Sequence, residues 1–250
     1  MAAQSNAITW QTKLPISSEV PDLTDKVTLV TGAKGMGFHA AYQLAFKNAK
    51  VYIGARSASK AESAIQEMKS QNPRIGEEKL VPFVADLSDI RAVRAAARAV
   101  LMNESRLDIL IHNAAVHLGP FVLTNELIPL LKQTAGVSQD VRVIVVSAAS
   151  YKFLPEGIRF DSLASFNAEM EPTIYGGADF TRYIRINACY EGLSKLANLL
   201  FARQLQKYFE VTGIDAISIS LHPGLIKTGM VLIAFTFKAY QLLSPPQMVS

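Results

Sequence analysis

The stretch "LVTGAKGMGFHAA", Leu29–Ala41, decides how the rest of the chain is read. A short apolar run breaks at Gly32, two more glycines follow at Gly35 and Gly37, and a helical pattern then begins. Glycines here let a backbone turn tightly and approach a pyrophosphate, while the next helix offers free N–H groups and the positive end of its dipole. Alone, such a loop is a weak sign. Between a buried strand and a helix, it predicts a dinucleotide site.

Working outward, "KVTLVT" (Lys26–Thr31) reads as the strand before the loop, and a helix is expected from Gly37 to Asn48. "KVYIGA" (Lys50–Ala55) reads as a second strand, followed by a helix over Lys60–Lys69, a strand over Lys79–Ala85 and a helix over Ile90–Leu101. "LDILIHNAA" (Leu107–Ala115) is a fourth strand and its exit. A helix over Leu123–Gln133 and the strand "VRVIVVSA" (Val141–Ala148) come next. Tyr151–Thr181 reads as loop, punctuated by Pro155, Gly157, Pro172, Gly176 and Gly177. A long helix headed by Lys195 then leads into "IDAISISLHPG" (Ile214–Gly224), a sixth strand and turn. Strands alternating with helices predict an α/β fold, a doubly wound parallel sheet covered on both faces, with ligands at the strands' carboxyl ends.

At 250 residues, half of them hydrophobic, the chain suits one globular domain over 1–250, with a polar lead over 1–24 and an apolar, lid-like segment over 229–250. The formal charge of +4 comes without a lysine–arginine cluster, which argues against nucleic acid as a partner. Cys189 is the single cysteine, so no intramolecular disulfide forms and a reducing, cytoplasmic setting is expected. The opening residues lack the charged-then-apolar order of a secretory signal. "VLIAFTFKAYQLL" (Val231–Leu243) is apolar but interrupted by Lys238, too short to span a bilayer; it reads as a core helix, a substrate lid or a membrane-leaning face. No metal-ligand set stands out.

The second strand's end selects the cofactor. A carboxylate there would hold a ribose 2′-hydroxyl; this chain has Ala55, then Arg56, with Lys60 one turn on. A guanidinium grips a 2′-phosphate through paired charge-assisted bonds, so NADP (NADPH) is expected over NAD. Arg56 also argues against an S-adenosylmethionine site on the same sheet, which would likewise want an acid. Asp86 in "VADLSD" is placed to accept from an adenine amino group; the bland alternative is a helix N-cap, a role better suited to Ser88 or Asp89. Asn113 ends the fourth strand, either bridging to a ribose or simply holding a turn.

Taken together, "VTGAKGMGFHAAYQLA", "ARSASKA", "ADLSD", "HNAA", "SKLANLLFARQL" and "HPGLIKT" resemble the short-chain dehydrogenase/reductase family, in particular its retinol-dehydrogenase-like branch. The resemblance runs from about Asp25 to the chain's end. It implies a Rossmann fold, carbonyl/alcohol interconversion and NAD(P)(H). It implies further that Gly32, Gly35, Met36 and Gly37 surround the pyrophosphate, with Asp86 by the adenine and Asn113 by the ribose. Lys195 would touch the nicotinamide ribose, and Ile226 and Thr228 the carboxamide. The substrate implied is an apolar small molecule, a natural-product intermediate among the candidates, and relatives of this kind pair as homodimers. The chain departs from the family in four places. Only Ala33 and Lys34 separate the first two glycines, and the fourth-strand signature ends in Ala115 instead of glycine. The segment between Ala115 and "VHLGPFVLTNELIPLL" is missing, with Val116 where an asparagine is expected. Finally, the chain stops at Ser250 where relatives continue, so it reads as truncated.

The family chemistry needs a phenol to give or take a proton, a lysine ammonium to favour its phenolate, and a serine hydroxyl for the substrate oxygen. Lys195 supplies the lysine. Four residues before it stands Glu191, and the nearest tyrosine, Tyr190, is five back, about 140° away on a regular helix. A one-residue bulge, or a helix that begins after Tyr190, would realign the pair. Tyr183, in "FTRY", is the rival. Ser147 ends the fifth strand, though the position that relatives use matches Ala148; Ser150 is placed to reach back from the loop. A folded dinucleotide binder with impaired turnover is the competing reading.

Overall fold

The computed structural model describes residues 20–114, 117–154, 157–159, 161–162 and 179–224. Within them the elements run β1 (Val27–Thr31), α1 (Met36–Phe46), β2 (Lys50–Ala55), α2 (Ala58–Gln71), β3 (Leu80–Val84), α3 (Ile90–Asn103), β4 (Ile109–His112), α4 (Leu118–Ala135), β5 (Val141–Val146), α5 (Asp179–Thr212) and β6 (Ala216–Leu221). Short 3₁₀ turns occupy Glu77–Lys79 and Ala149–Phe153. The six strands form one parallel sheet in the order β3-β2-β1-β4-β5-β6. That order reverses between β1 and β4, where the sheet's ligand crevice opens.

Two apolar clusters clamp the sheet. Val30, Val51 and Ile53 meet Phe38, Ala41, Ile65 and Met68 of α1 and α2 on one face. Leu29, Leu110, Val143 and Val145 meet Val93, Leu127, Leu131, Phe201 and Phe209 of α3, α4 and α5 on the other. Alternate strand side chains feed opposite faces, so β-branched and leucine runs that look continuous in sequence serve both layers.

Most boundaries fall within three residues of the sequence expectation; three departures bear on the site. The fourth helix begins at Leu118, not Leu123. Pro120 sits in its first turn, where its missing N–H would have had no intrahelical partner anyway, so "GP" starts the helix instead of breaking it. Lys195 is not at the head of its helix: α5 begins at Asp179 and stays α-helical for 34 residues. Residues 179–190 contain neither glycine nor proline, so nothing stops the helix from extending back through Tyr183 and Tyr190. A helix that starts after Tyr190 is thereby ruled out, and no π turn interrupts α5. The expected loop over Tyr151–Thr181 is also shortened, by the 3₁₀ turn at its start and by α5 at its end.

The amino-terminal edge of the sheet is bound by an ionic knot. Asp108, before β4, accepts from the Val27 N–H at 3.0 Å, from Arg106 at 2.6 and 2.8 Å and from Lys26 at 3.1 Å. Burial pushes its pKa up, but the hydrogen bonds from Arg106, Val27 and Lys26 outweigh it and hold the carboxyl below its usual range. Nearby, Glu104 accepts from the Tyr52 hydroxyl and the Lys50 ammonium, both at 2.6 Å.

Candidate functional site

At the opposite edge, β1 ends in Thr31 and the chain turns through Gly32–Gly35 into α1. Gly35 is the N-cap of α1, with φ of 57° and open space where a Cβ would be. No side chain caps α1 and no acid stands in its first turn, so its free N–H groups and dipole face outward uncompensated. A Cβ on Gly37 would sit 2.0 Å from the Gly32 carbonyl oxygen and 2.5 Å from Asn113 Nδ2. Only glycine allows the loop, α1 and the β4 exit to close up this tightly. These features fit the pyrophosphate of a dinucleotide.

Beside the loop lies a cavity of about 450 Å³, bounded by Lys34, Arg56, Lys60, Phe83, Asp86 and Ser88 among others. Arg56 and Lys60, singled out by sequence, are therefore brought together, and Lys34 joins them. Sequence reasoning used Lys34 only to count loop spacing; a lysine between the two glycines was the available sign. Asp86 accepts from the Ser88 hydroxyl at 2.6 Å and the Ser88 N–H at 3.0 Å, which hold its carboxyl below the usual range, with Arg56 adding charge. It does not cap α3: Asp89 does, accepting from the Arg91 N–H at 2.9 Å. Asn113 donates from its amide to the Thr31 carbonyl at 3.2 Å, and its own N–H to Thr31 Oγ1 at 3.1 Å, so it ties the exits of β1 and β4 together.

The remaining candidates gather around α5. Lys195 is 6% exposed, and burial pushes its pKa down, opposed by the charge of Glu191. Ser147 is 4% exposed, and its hydroxyl donates to the Lys195 backbone carbonyl at 2.7 Å. Ser150 lies in the 3₁₀ turn with its Oγ buried and without a hydrogen-bond partner among the described residues. Tyr183 and Tyr190 are backbone positions of α5, about 20° apart around the helix and about 120–140° from Lys195. Glu191 shares the Lys195 face. Ile226, Thr228 and the apolar run Val231–Leu243 lie outside the described residues, as does most of the polar lead.

Sequence reasoning missed two polar pairs, one of them made by Asn198, one turn beyond Lys195. His117, just before α4, pairs its Nδ1 with Asn198 Oδ1 at 3.1 Å. His112, fully buried at the end of β4, lies 2.7 Å from Thr124 Oγ1 through its Nε2. Thr124 gives its proton to the Pro120 carbonyl, so Nε2 is the donor and Nδ1 keeps a lone pair with no partner among the described residues. Burial alone pushes the His112 pKa down to about 3.

The chain has counterparts among known proteins. The family model described as short chain dehydrogenase matches residues 26–148. A short-chain dehydrogenase/reductase of Aspergillus calidoustus is 30% identical over 242 residues, covering 84% of this chain and 70% of the relative. The chain belongs to the short-chain dehydrogenase/reductase family. Another member, from Colletotrichum higginsianum, is 39% identical over 233 residues, and the match covers 85% of this chain but 57% of that relative. The chain thus spans less than two thirds of that relative's length. Among solved structures, the Pseudomonas aeruginosa RhlG/NADP active-site complex superposes with a TM-score of 0.62 at 23% identity, covering 86% of this chain and 77% of that one. That likeness concerns the fold. The family is one of oxidoreductases whose members bind nicotinamide dinucleotides. Among the described residues no helix is long and apolar enough to cross a membrane, and no His/Cys/Asp/Glu group is arranged to hold a metal.

Proposed function

We propose that this protein is an NADP-dependent short-chain oxidoreductase that interconverts a carbonyl and an alcohol on an apolar small molecule. The observation that carries the reading is the cation set of the cavity: Lys34, Arg56 and Lys60 with no carboxylate at the end of β2. A 2′-phosphate is attracted there, whereas a bare ribose gains nothing from three cations. When bound, the dinucleotide would exchange hydride with the substrate carbon. This chain's part is to hold the adenosine half at Arg56, Lys60 and Asp86, and the pyrophosphate at Gly32, Gly35, Met36 and Gly37. Asn113, Lys195, Ile226 and Thr228 orient the nicotinamide half. Tyr190 moves the alcohol proton, with Lys195 lowering its cost. The fungal relatives favour a natural-product intermediate as substrate. A cytoplasmic, homodimeric protein is the accompanying expectation.

A second reading, a dinucleotide binder with impaired turnover, is favoured by one specific feature. An unbroken α5 sets both tyrosine positions away from the Lys195 face. NADPH consumption against a panel of apolar ketones and aldehydes separates the two. Turnover abolished by Tyr190→Phe and spared by Tyr183→Phe supports the first; the reverse pattern moves the role to Tyr183. Tight NADPH binding with no turnover across the panel supports the second, and no binding of either dinucleotide removes both.

A further inference from the structure

Ser147 stands where β5 ends, and its N–H and its hydroxyl are both already engaged. Its N–H donates to the Leu221 carbonyl at 2.8 Å, extending the β5–β6 ladder by one step. Its hydroxyl donates to the Lys195 carbonyl at 2.7 Å. A serine has one hydroxyl proton, and given to Lys195 it is not free for a substrate oxygen. The bond joins the end of a sheet strand to the backbone of Lys195, the one buried lysine among the described residues, across 48 positions of sequence.

A second contact acts from the neighbouring turn. At Gly192, three residues before Lys195, a Cβ would lie 2.9 Å from the Ser150 carbonyl oxygen and 3.2 Å from a Leu154 methyl. The helix therefore presses directly onto the turn that follows β5. Strand end and turn together leave α5 little room to slide or rotate at Lys195.

We propose that Ser147 is a positioning residue: by holding the Lys195 carbonyl it registers α5 against β5, and so sets the Lys195 side chain for the nicotinamide half of the dinucleotide, without itself touching substrate. This rests on the dinucleotide reading above.

The test compares two ligands on the intact chain: NADPH and adenosine 2′,5′-bisphosphate, which carries the adenosine half and the extra phosphate but no nicotinamide. Wild-type protein should hold NADPH more tightly. Lys195→Met should shrink that margin about tenfold or more, the loss of one charge-assisted hydrogen bond. Ser147→Ala should shrink it comparably while binding of the bisphosphate stays within about twofold, and the double variant should lose no more than Lys195→Met alone. Ser147→Thr, which keeps the hydroxyl, should restore the margin; Ser147→Cys carries the same comparison if the alanine variant fails to fold. Equal losses on both ligands, or losses that add in the double variant, make the bond merely structural and overturn this inference alone. A wild-type protein that binds NADPH no more tightly than the bisphosphate overturns the dinucleotide reading of Lys195, and this inference with it.

Discussion

The two edges of the sheet treat charge in opposite ways. At the amino-terminal edge the buried carboxylates are answered: Asp108 by Lys26, Val27 and Arg106, and Glu104 by Lys50 and Tyr52. At the carboxyl edge three cations and a single carboxylate, Asp86, line the cavity, the α1 terminus is uncapped, and Ser150 Oγ, His112 Nδ1 and Asn198 Nδ2 are buried without partners among the described residues. Satisfied buried charge holds a fold together, whereas unsatisfied polar groups cost stability and persist where a ligand or a reaction uses them. If that contrast is real, substitutions at the two edges must separate stability from binding.

The sharpest way to break it is Asp108→Ala. Removing the carboxylate strands the Val27 N–H and leaves Arg106 and Lys26 without their counter-charge, Lys26 keeping only its bond to Ser138 Oγ. Truncating one side of a buried ion pair costs about 3–5 kcal/mol, and the partly exposed cations put this one at the lower end. Urea denaturation should register that loss while NADPH affinity of the folded fraction stays put. A comparable fall in affinity would show that the two edges are not independent.

The pH dependence of stability sharpens the comparison next, because the edges titrate in different windows. His112 is neutral when folded, with its pKa pushed down to about 3, against an ordinary value of 6.5 in the unfolded chain. Below pH 6.5 the unfolded chain takes up a proton that the folded one refuses. Stability from this site is therefore full above pH 6.5 and falls with acid by about 1.4 kcal/mol per pH unit. Asp108, held low by its partners, contributes stability that is full above its unfolded pKa and is lost only as pH falls through the still lower folded value. His112→Asn should flatten the slope between pH 5 and 6.5 and leave the more acidic loss intact. An unchanged slope would mean that His112 is not the buried neutral group described.

How much of this was legible in the sequence follows the same divide. β2 was read residue for residue at Lys50–Ala55, and the β1–loop–α1 unit nearly so, because apolar periodicity and three glycines carry their own physics locally. Arg56 and Lys60 were legible for the same reason: the end of β2 determines what lies one turn beyond. The start of α4 was misread because a glycine–proline pair looks like a breaker until its place in the first turn is known. The start of α5 was misread because the punctuated stretch before it hid a run without helix breakers. Ser147's bond to Lys195 was illegible, since nothing in either local stretch reveals a contact between them. The His112–Thr124 and His117–Asn198 pairs share that character.

At the carboxyl edge, Arg56→Ala should weaken NADPH binding about 10- to 100-fold, the loss of a charge-assisted hydrogen-bond pair, while NADH binding and thermal stability barely move. Equal losses for both cofactors would remove the argument from the 2′-phosphate.

The smallest effect expected is also the one that tells apart a contact from a field. Lys60 stands exposed in the first turn of α2, on the cavity's rim, where water screens its charge. Lys60→Ala should cost NADPH affinity only about two- to fivefold at low salt, in line with an exposed ion pair worth under about 1 kcal/mol. Raising ionic strength to about 0.5 M should erase the difference, because the screening length then falls to a few ångströms. Arg56 is exposed as well, but most of the Arg56→Ala loss should survive the same salt, since paired hydrogen bonds at contact distance are screened less than a single ammonium without directed bonds. If salt erased both, the cavity would attract the dinucleotide by charge alone, and the discrimination between NADPH and NADH would have to come from somewhere other than Arg56.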